Sequence, residues 1–464
     1  MRQIQLSSTT LRGRPTDALL ALALGLLAWS VNNLNILRAH VQTPAGMQPN
    51  WTPREIDFAQ HLTWVNGMRN SLVIPDYHMP AITNPGLFSP LMALLGQATK
   101  LGIDASAAYA AAQLLIGILG VYCFIIGLRL FLSSRSQAAA AVVLMLMAVP
   151  LTSPLKIWRA LHGEAGLPIL FLSDGVFNLG SLGIALGTGS VFASLILLTR
   201  YVLLGRRRYL YLTAFVAALA GFCHPFEVFT IVAATTLTLV VVRWPCLSVA
   251  LRESLVVVVP GILSVLPYLY FSFTIPWMRQ VTAQNTYVLP DLLHLLALLG
   301  IPAAFVLANL VVGPRLRAPS DVVLQCWFAA TLIVMHIPKL PWALHAANGF
   351  SFVTALLAVR QISQPFYLPD FQRWISLRPR LAAVAAAALV APALFTHVGF
   401  RYMMFRDSLK LASPYGMSAV SSQAEYDLIR WFRRNGSAGD LVIAPTPDTS
   451  WMLATAPIHT IASH

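Results

Sequence analysis

The chain has 464 residues, of which 57% are hydrophobic and only 10% are charged, and its net charge is +14. A mean hydropathy of +0.69 is too high for a water-soluble globular protein, so we assign the chain to the membrane class. The basic residues lie in short segments between apolar runs and are not interleaved with aromatic residues, which argues against nucleic-acid binding.

Apolar runs of membrane-crossing length predict eleven transmembrane helices. The first run follows three arginines and lacks a small-residue cleavage site after it, so we expect a retained helix and not a cleaved signal peptide. A further apolar stretch at 90–100 is too short to span and is expected to lie at the membrane interface. The predicted spans are 17–34, 106–132, 138–152, 176–199, 209–223, 226–242, 254–275, 291–313, 320–336, 347–363 and 381–398.

The distribution of arginine and lysine predicts the orientation of the chain in the plasma (inner) membrane. With a cytoplasmic N-terminus, most arginines between spans fall on the inner side, as the positive-inside rule requires. The first loop, 35–105, and the tail, 399–464, then lie outside. We therefore expect an all-α polytopic transmembrane core over 1–398 and an outer α/β segment over 399–464.

The tail differs in composition from the core. Apolar residues at helical spacing in SSQAEYDLIRWFRRNG predict a helix that stops at Gly436, and DLVIAP predicts a short strand after it. Because the chain ends soon after this α/β pattern begins, we expect a domain that is either vestigial or truncated.

The first outer loop begins with a predicted amphipathic helix. In TPRE, residues 52–55, the threonine and glutamate form a capping box around a proline at the first helical position, so Glu55 has a structural role. Asp57 lies on one helical stripe with His61, Trp64 and Met68. Asp57 is either part of a solvated face, paired with Arg54 or His61, or a catalytic carboxylate.

Prolines follow this helix at positions 75, 80, 85 and 90, which predicts an extended or turning segment over 75–89. Ser89 and Pro90 then provide a start for the short apolar helix at 90–100. The predicted loop is therefore a capped helix, an extended crossing and a short apolar helix on the outer surface.

Three parts of the sequence together resemble the GT-C superfamily of integral membrane glycosyltransferases, which includes the protein O-mannosyltransferases, the aminoarabinose transferase of lipid A and the oligosaccharyltransferases. The first part is EIDFAQHLTWVNGMRNSLVIPD with NPGLFSPLMALLG after it. The second is LAGFCHPFEVFTIVAATTL, with His224 and Pro225 between two apolar runs. The third is the many-span core with an outer α/β tail.

The resemblance implies transfer of a hexose or pentose from a polyprenyl-phosphate donor to a hydroxyl of a glycan, lipid or protein acceptor on the outer face. Asp57 is the position that matches the family's catalytic carboxylate, with Glu55 as the second candidate. A carboxylate accepts the proton of the acceptor hydroxyl, and the departing lipid phosphate needs cationic or N–H donors. The substrate-binding candidates are His61, Lys156, Arg159, Asp174, His224, Arg279 and Lys339.

Several polar residues keep two interpretations. His224 and Glu227 are one helical turn apart, which fits either a turn at the outer surface or a site. His336 and His345 flank Lys339, and a phosphate site is one reading of that segment. Asp174 is either solvated, a metal ligand or a support for the site. No Cys/His metal motif occurs in the sequence, so we predict no cofactor, and a divalent metal is compatible with the sequence but not indicated by it.

Two other classes of protein compete with a transferase. A secondary transporter would show internal repeats and charges at mid-membrane, whereas most carboxylates here lie in predicted loops. A catalytically inactive membrane scaffold would have the same sequence features as an active enzyme, so that alternative stays open.

Overall fold

The computed structural model describes residues 15–32, 40–43, 46–49, 58–74, 87–103, 105–148, 154–155, 158–159, 182–284, 299–312, 318–338, 340, 343–363, 373, 377–408, 420–421, 423–437, 440–443 and 459–461. Within these ranges helices dominate, and the strands are two to four residues long. The helices are α1 (Pro15–Asn32), α2 (Phe58–Gly67), α3 (Pro90–Lys100), α4 (Ala105–Phe131), α5 (Arg135–Leu146), α6 (Leu182–Leu204), α7 (Arg207–Cys223), α8 (Phe226–Arg243), α9 (Leu247–Thr274), α10 (Pro276–Gln284), α11 (Ile301–Val312), α12 (Pro319–Met335), a 3-10 helix (Ala343–Ala347), α13 (Phe350–Ile362), α14 (Pro379–Ser408) and α15 (Gln423–Asn435).

The prediction of a polytopic helical membrane protein is confirmed. Each of the eleven predicted spans contains a described helix. Among the described residues, four helices are long and apolar enough to cross a membrane by length and composition: Ala107–Phe131 within α4, and the whole of α6, α8 and α9. The total number of spans stays a prediction.

The helices pack around a core of aromatic and small residues. The rings of Phe124 (α4), Phe192 (α6) and Phe352 (α13) meet, with centroids 4.7 Å apart for Phe192 and Phe352 and 4.9 Å apart for Phe124 and Phe352. A Cβ atom at Gly120 would lie 3.9 Å from the Cα of Gly189, so α4 and α6 approach closely there. Small residues at such crossings are typical of helices that associate in lipid, where packing replaces the hydrophobic driving force.

Three arginine–carboxylate pairs lie at one end of the bundle, which we call the basic end. Arg129 at the end of α4 contacts Asp17 at the start of α1, with Nη2 of Arg129 2.5 Å from Oδ1 of Asp17. Arg243 and Glu253 join the end of α8 to the start of α9, and Arg360 and Asp321 join the end of α13 to the start of α12. These arginines are among those predicted to face the cytoplasm. The structure gathers them at one end, while the side of the membrane stays a prediction.

The described part of the first loop packs against the opposite end of the bundle, which we call the loop end. Leu62 and Val65 of α2, and Met68 directly after it, are buried in a cluster with residues of α3 and with Tyr109 and Leu182 near the starts of α4 and α6. Strands β3 (Val73–Ile74) and β4 (Leu87–Phe88) pair antiparallel on either side of the proline-rich segment. The loop is therefore a packed unit on the bundle, at least over its described residues.

Two details of the first loop match the sequence. The predicted short helix at 90–100 is α3, and the Ser89 hydroxyl caps it at 3.5 Å from the backbone nitrogen of Met92. Helix α2 ends at Gly67, a residue type that commonly terminates helices. Its predicted start at 52–55 lies outside the described residues, and the described helix begins at Phe58.

The loop and the tail share a small sheet. Strand β1 (His40–Thr43) pairs antiparallel with β2 (Gly46–Pro49) and parallel with β5 (Val420–Ser421). In the tail, α15 covers the predicted helix, and β6 (Leu441–Ile443) lies within the predicted strand and pairs parallel with β7 (His459–Ile461). Whether the tail is a truncated domain stays a prediction.

Candidate functional site

The candidate site begins at the turn between α7 and α8. Helix α7 ends at Cys223, His224 has extended backbone, and α8 starts at Phe226 directly after Pro225. Proline lacks an N–H group and has a fixed φ, so it suits a helix start and ends the preceding helix. Glu227 therefore falls in the first turn of α8, where the positive end of the helix dipole stabilises a carboxylate.

Glu227 is the centre of a buried polar group that we call the His–Glu cluster, formed by His224, Glu227, His345 and Asn348. The side chain of Glu227 is fully buried, and its Oε2 is 2.6 Å from Nδ1 of His224. The Asn348 amide donates to the Glu227 Oε1 and lies 3.4 Å from Nδ1 of His345. These contacts compensate the cost of removing a carboxylate from water.

His345 and Asn348 come from the segment that joins α12 to α13. The 3-10 helix holds His345, and Gly349 follows Asn348 with φ of +74°, a left-handed conformation that glycine adopts without strain. The His345 ring is 5.3 Å from that of His224, and Phe226 contacts both rings. Burial, helped by the nearby His224, lowers the pKa of His345 to about 4, although Glu227 acts in the opposite direction. His345 is therefore neutral at physiological pH.

Helix α6 provides a flat surface beneath the cluster because it carries glycine at two positions one turn apart. A Cβ atom at Gly183 would lie 2.8 Å from the His224 ring, and one at Gly187 would overlap the Glu227 carboxylate. We call Gly183 and Gly187 the glycine seat. It allows two polar side chains of the α7–α8 turn to pack directly on the α6 backbone.

His61 lies at the same end of the bundle, on α2. Its Nδ1 is 2.7 Å from the Tyr109 hydroxyl, which also accepts a hydrogen bond from the backbone nitrogen of Leu182 at 3.3 Å. The Trp64 ring lies 5.0 Å away, as expected for two residues on the predicted stripe. Burial lowers the pKa of His61 to about 3, and the nearby His224 contributes to the same shift. His61 is thus a neutral imidazole in the electrostatic range of the cluster.

Of the predicted site residues, the structure places His61 and His224 at the same end of the bundle: Tyr109 joins His61 to Leu182, and the neighbouring Gly183 packs against His224. Arg159 and Arg279 are described and exposed, and their predicted role in binding phosphate stays a prediction. Five predicted residues lie outside the described part of the chain: Glu55, Asp57, Lys156, Asp174 and Lys339. Their roles also stay predictions.

The sequence analysis missed Asn348, Tyr109 and the glycine seat, and it considered His345 only as a neighbour of Lys339. Two signals were available. Gly183 and Gly187 form a small-xxx-small pattern, which marks close helix packing in membranes. His345 and Asn348 are three residues apart, which places them on one side of a helical turn. Neither signal identifies the residues that are contacted, His224 and Glu227, because these lie on a distant part of the chain.

No protein-family model and no curated protein matches the chain. Among solved structures, it is similar to ArnT from Cupriavidus metallidurans bound to undecaprenyl phosphate, with a TM-score of 0.50 and 13% identity over 95% of this chain and 85% of that one. It also matches the oligosaccharyltransferase AglB from Archaeoglobus fulgidus in complex with an inhibitory peptide and a dolichol-phosphate. The TM-score is 0.42 and the identity 16%, over 96% of this chain and 64% of that one. A structure of the Archaeoglobus fulgidus oligosaccharyltransferase in complex with Zn and sulfate matches with a TM-score of 0.41 and 16% identity, over 95% of this chain and 62% of that one.

The class of protein follows from these findings: the chain is a helical membrane protein. Its fold is GT-C-like, as the likeness to ArnT over nearly the whole chain indicates.

Proposed function

We propose that the chain is a membrane glycosyltransferase that moves a sugar from a polyprenyl-phosphate carrier to an acceptor hydroxyl. The observation that carries the proposal is the GT-C-like fold, matched over 95% of the chain to a structure that holds undecaprenyl phosphate. A packed first loop and a buried polar cluster at the same end of the bundle support it, since transfer needs a site shielded from water beside the lipid.

In the proposed reaction, the acceptor oxygen attacks the anomeric carbon of the sugar. The bond between that carbon and the phosphate oxygen breaks, and the polyprenyl phosphate leaves with the electron pair. The base that accepts the hydroxyl proton is proposed to be Asp57, with Glu55 as the second candidate. Asp57 directly precedes α2, the helix that carries His61.

The phosphate that departs carries negative charge, so its site needs cations or N–H donors. Arg159 and Arg279 are exposed, and Lys156 and Lys339 are the further candidates from the sequence. Asp174 and His224 are proposed to position the donor. Neutral His61 offers one hydrogen-bond donor and one acceptor, which suits a sugar hydroxyl.

We place the reaction on the outer face of the plasma membrane. The grouping of Arg129, Arg243 and Arg360 at the basic end supports this orientation, because basic residues favour the cytoplasmic side. The loop end, with α2 and the His–Glu cluster, would then face outward.

The test uses the purified full chain and a lipid extract from its native host as the donor source, and it measures release of free polyprenyl phosphate. Wild-type protein is expected to release it, and Asp57→Asn should reduce the rate by about 10²–10⁴-fold, the usual contribution of a general base. Glu55→Gln tests the second candidate: it should retain most of the activity if Asp57 is the base, and a loss confined to Glu55→Gln would assign the base to Glu55. Full activity in Asp57→Asn would overturn the role of Asp57. No release by wild type would overturn the transferase and favour a transporter or a scaffold.

A further inference from the structure

The His–Glu cluster differs from every other carboxylate pair at the ends of the described bundle. Asp17, Glu253 and Asp321 each pair with an arginine, which supplies a permanent positive charge. Among the described residues, Glu227 forms its ion pair with an imidazole and receives an amide hydrogen bond, with no lysine or arginine. A fully buried carboxylate that lacks a permanent cation is a place where a bound metal ion would supply the missing charge.

The donor atoms are close enough to share one ion. His224, Glu227 and His345 each offer one ligand atom, and these atoms all lie within 4.8 Å of one another. Two ligands at about 2.0–2.2 Å from a tetrahedral zinc ion lie about 3.3–3.6 Å apart, so the widest pair needs to close by at most about 1.5 Å. Rotation of an imidazole ring is sufficient for a change of that size.

We propose that His224, Glu227 and His345 bind a divalent transition-metal ion, with Zn²⁺ favoured by the donor set. Two imidazoles and one carboxylate form a known type of zinc site in which the fourth position stays open for water or an anionic oxygen. Neutral imidazole favours zinc, copper, iron and nickel over magnesium and calcium, which prefer oxygen ligands. The sequence alone does not indicate this metal site, because its ligands come from two distant segments of the chain.

The surroundings of the cluster fit the supporting shell of such a site. Asn348 donates to the Glu227 carboxylate, as outer-shell residues do when they orient a metal ligand. The glycine seat fixes how deeply His224 and Glu227 can lie against α6. Phe226 contacts both imidazoles, with ring centroids 4.9 Å from His224 and 4.8 Å from His345. The inference does not depend on the proposed sugar transfer.

The experiment treats the purified full chain with a chelator, removes the chelator and titrates Zn²⁺ by calorimetry, with the metal content measured after desalting. Co²⁺ is added in parallel, because its visible absorption reports the number and kind of ligands. Wild type is expected to bind one ion per chain. Glu227→Gln and His345→Ala should weaken binding by at least about 100-fold, since changes in the outer shell alone cost about 10–100-fold.

The matched control is His336→Ala, which removes an exposed imidazole near the same end of the bundle. The Nδ1 atom of His336 lies 2.7 Å from the Leu332 carbonyl oxygen. The variant should bind zinc like wild type. Glu227→Gln keeps the shape of the side chain, and its elution profile and unfolding temperature without metal check that it folds. If it does not fold, His345→Ala decides the question together with the Co²⁺ spectrum of wild type.

Absence of stoichiometric Zn²⁺ binding by wild type would overturn the metal site and leave the cluster as a buried hydrogen-bond network. Equal binding by wild type and His345→Ala would overturn it too, because the zinc would then lie elsewhere. Since no sugar donor is present in this experiment, its result is independent of whether sugar transfer is observed.

Discussion

Gly187 of α6 lies against the carboxylate of Glu227 in α8, and a Cβ atom at position 187 would overlap both carboxylate oxygens. The Glu227 side chain of α8 therefore leaves no room for any side chain at position 187 of α6. Glycine lowers the intrinsic stability of a helix by about 1 kcal/mol relative to alanine, so its presence in the middle of α6 has a cost that the contact with Glu227 explains.

Gly187→Ala tests this contact directly. We expect it to destabilise the protein by about 1–3 kcal/mol, as overpacking of a core does, even though alanine favours the helix. Gly189→Ala is the matched control on the same helix, because a Cβ atom there would meet the Gly120 Cα at an ordinary 3.8 Å. Thermal unfolding of both variants in one detergent is the measurement. Equal unfolding temperatures for the two variants would contradict the overlap.

Tyr109→Phe removes the hydroxyl that joins α2 to α6. It leaves the His61 Nδ1 and the Leu182 backbone nitrogen without this partner, so we expect a loss of about 1–3 kcal/mol, typical of a buried polar group left unsatisfied. Tyr270→Phe, on an exposed face of α9, is the control and should change stability by less than about 0.5 kcal/mol. A Tyr109→Phe protein as stable as the control would show that the hydroxyl is not needed.

The basic end offers a comparison of two ion pairs that differ in burial. Asp321 is nearly buried and accepts two hydrogen bonds from Arg360, whereas Arg243 and Glu253 are both partly exposed. Asp321→Asn should therefore cost about 3–5 kcal/mol, the usual result of breaking a buried pair. Glu253→Gln should cost less, since solvent screens its pair. Unfolding measurements on both variants compare the two losses of stability. A larger loss in Glu253→Gln than in Asp321→Asn would contradict the burial argument.

The low pKa of His61 predicts that stability falls in acid. The folded protein holds His61 neutral down to about pH 3, whereas the unfolded chain takes up the proton near pH 6.5. Between these values the unfolded state binds more protons, so the free energy of unfolding falls as the pH decreases, by at most about 1.4 kcal/mol per pH unit for this group. Above pH 6.5 this effect vanishes.

His61→Asn keeps a hydrogen-bonding nitrogen near the position of Nδ1 but cannot titrate. Its unfolding temperature should change less than that of wild type between pH 7 and pH 5. A residual slope is expected, because His345 also has a lowered pKa. Identical pH profiles for wild type and His61→Asn would contradict the assignment of His61 as a buried neutral imidazole.

The orientation of the bundle is tested by single cysteines in a protein whose four native cysteines have been replaced. Arg207→Cys, exposed at the basic end, should react with a membrane-impermeant maleimide only after the cells are opened. Arg69→Cys, exposed just after α2, should react in intact cells. Labelling of residue 207 in intact cells would invert the predicted topology.

Local features of the fold were predictable because their signals lie close together in sequence. Ser89 and Pro90 mark the start of α3, and Pro225 marks the break between α7 and α8. Arginines between spans predicted which helix ends lie together, although Arg129 was assigned to topology alone and its contact with Asp17 was not foreseen. That pair joins two helices that are separated in the chain, and the sequence contains no local sign of it.

The candidate site was predictable only in part for the same reason. His224 and Glu227 are three residues apart at the turn into α8, so their proximity follows from the local path of the chain. Asn348 reaches Glu227 because the segment before α13 packs against α12 and against α8, which is distant from it in the sequence. The His–Glu cluster is recognisable only when residues from both segments are brought together, and the sequence does not show that they meet.

The pairing of β1 with β5 has a consequence for biosynthesis. Strand β1 precedes α2 in the chain, while β5 follows α14. A ribosome makes the first loop early, yet the third strand of its sheet emerges only after the last helix of the bundle. The pairing of β1 with β5 can therefore form only after the described helices of the bundle have been synthesised.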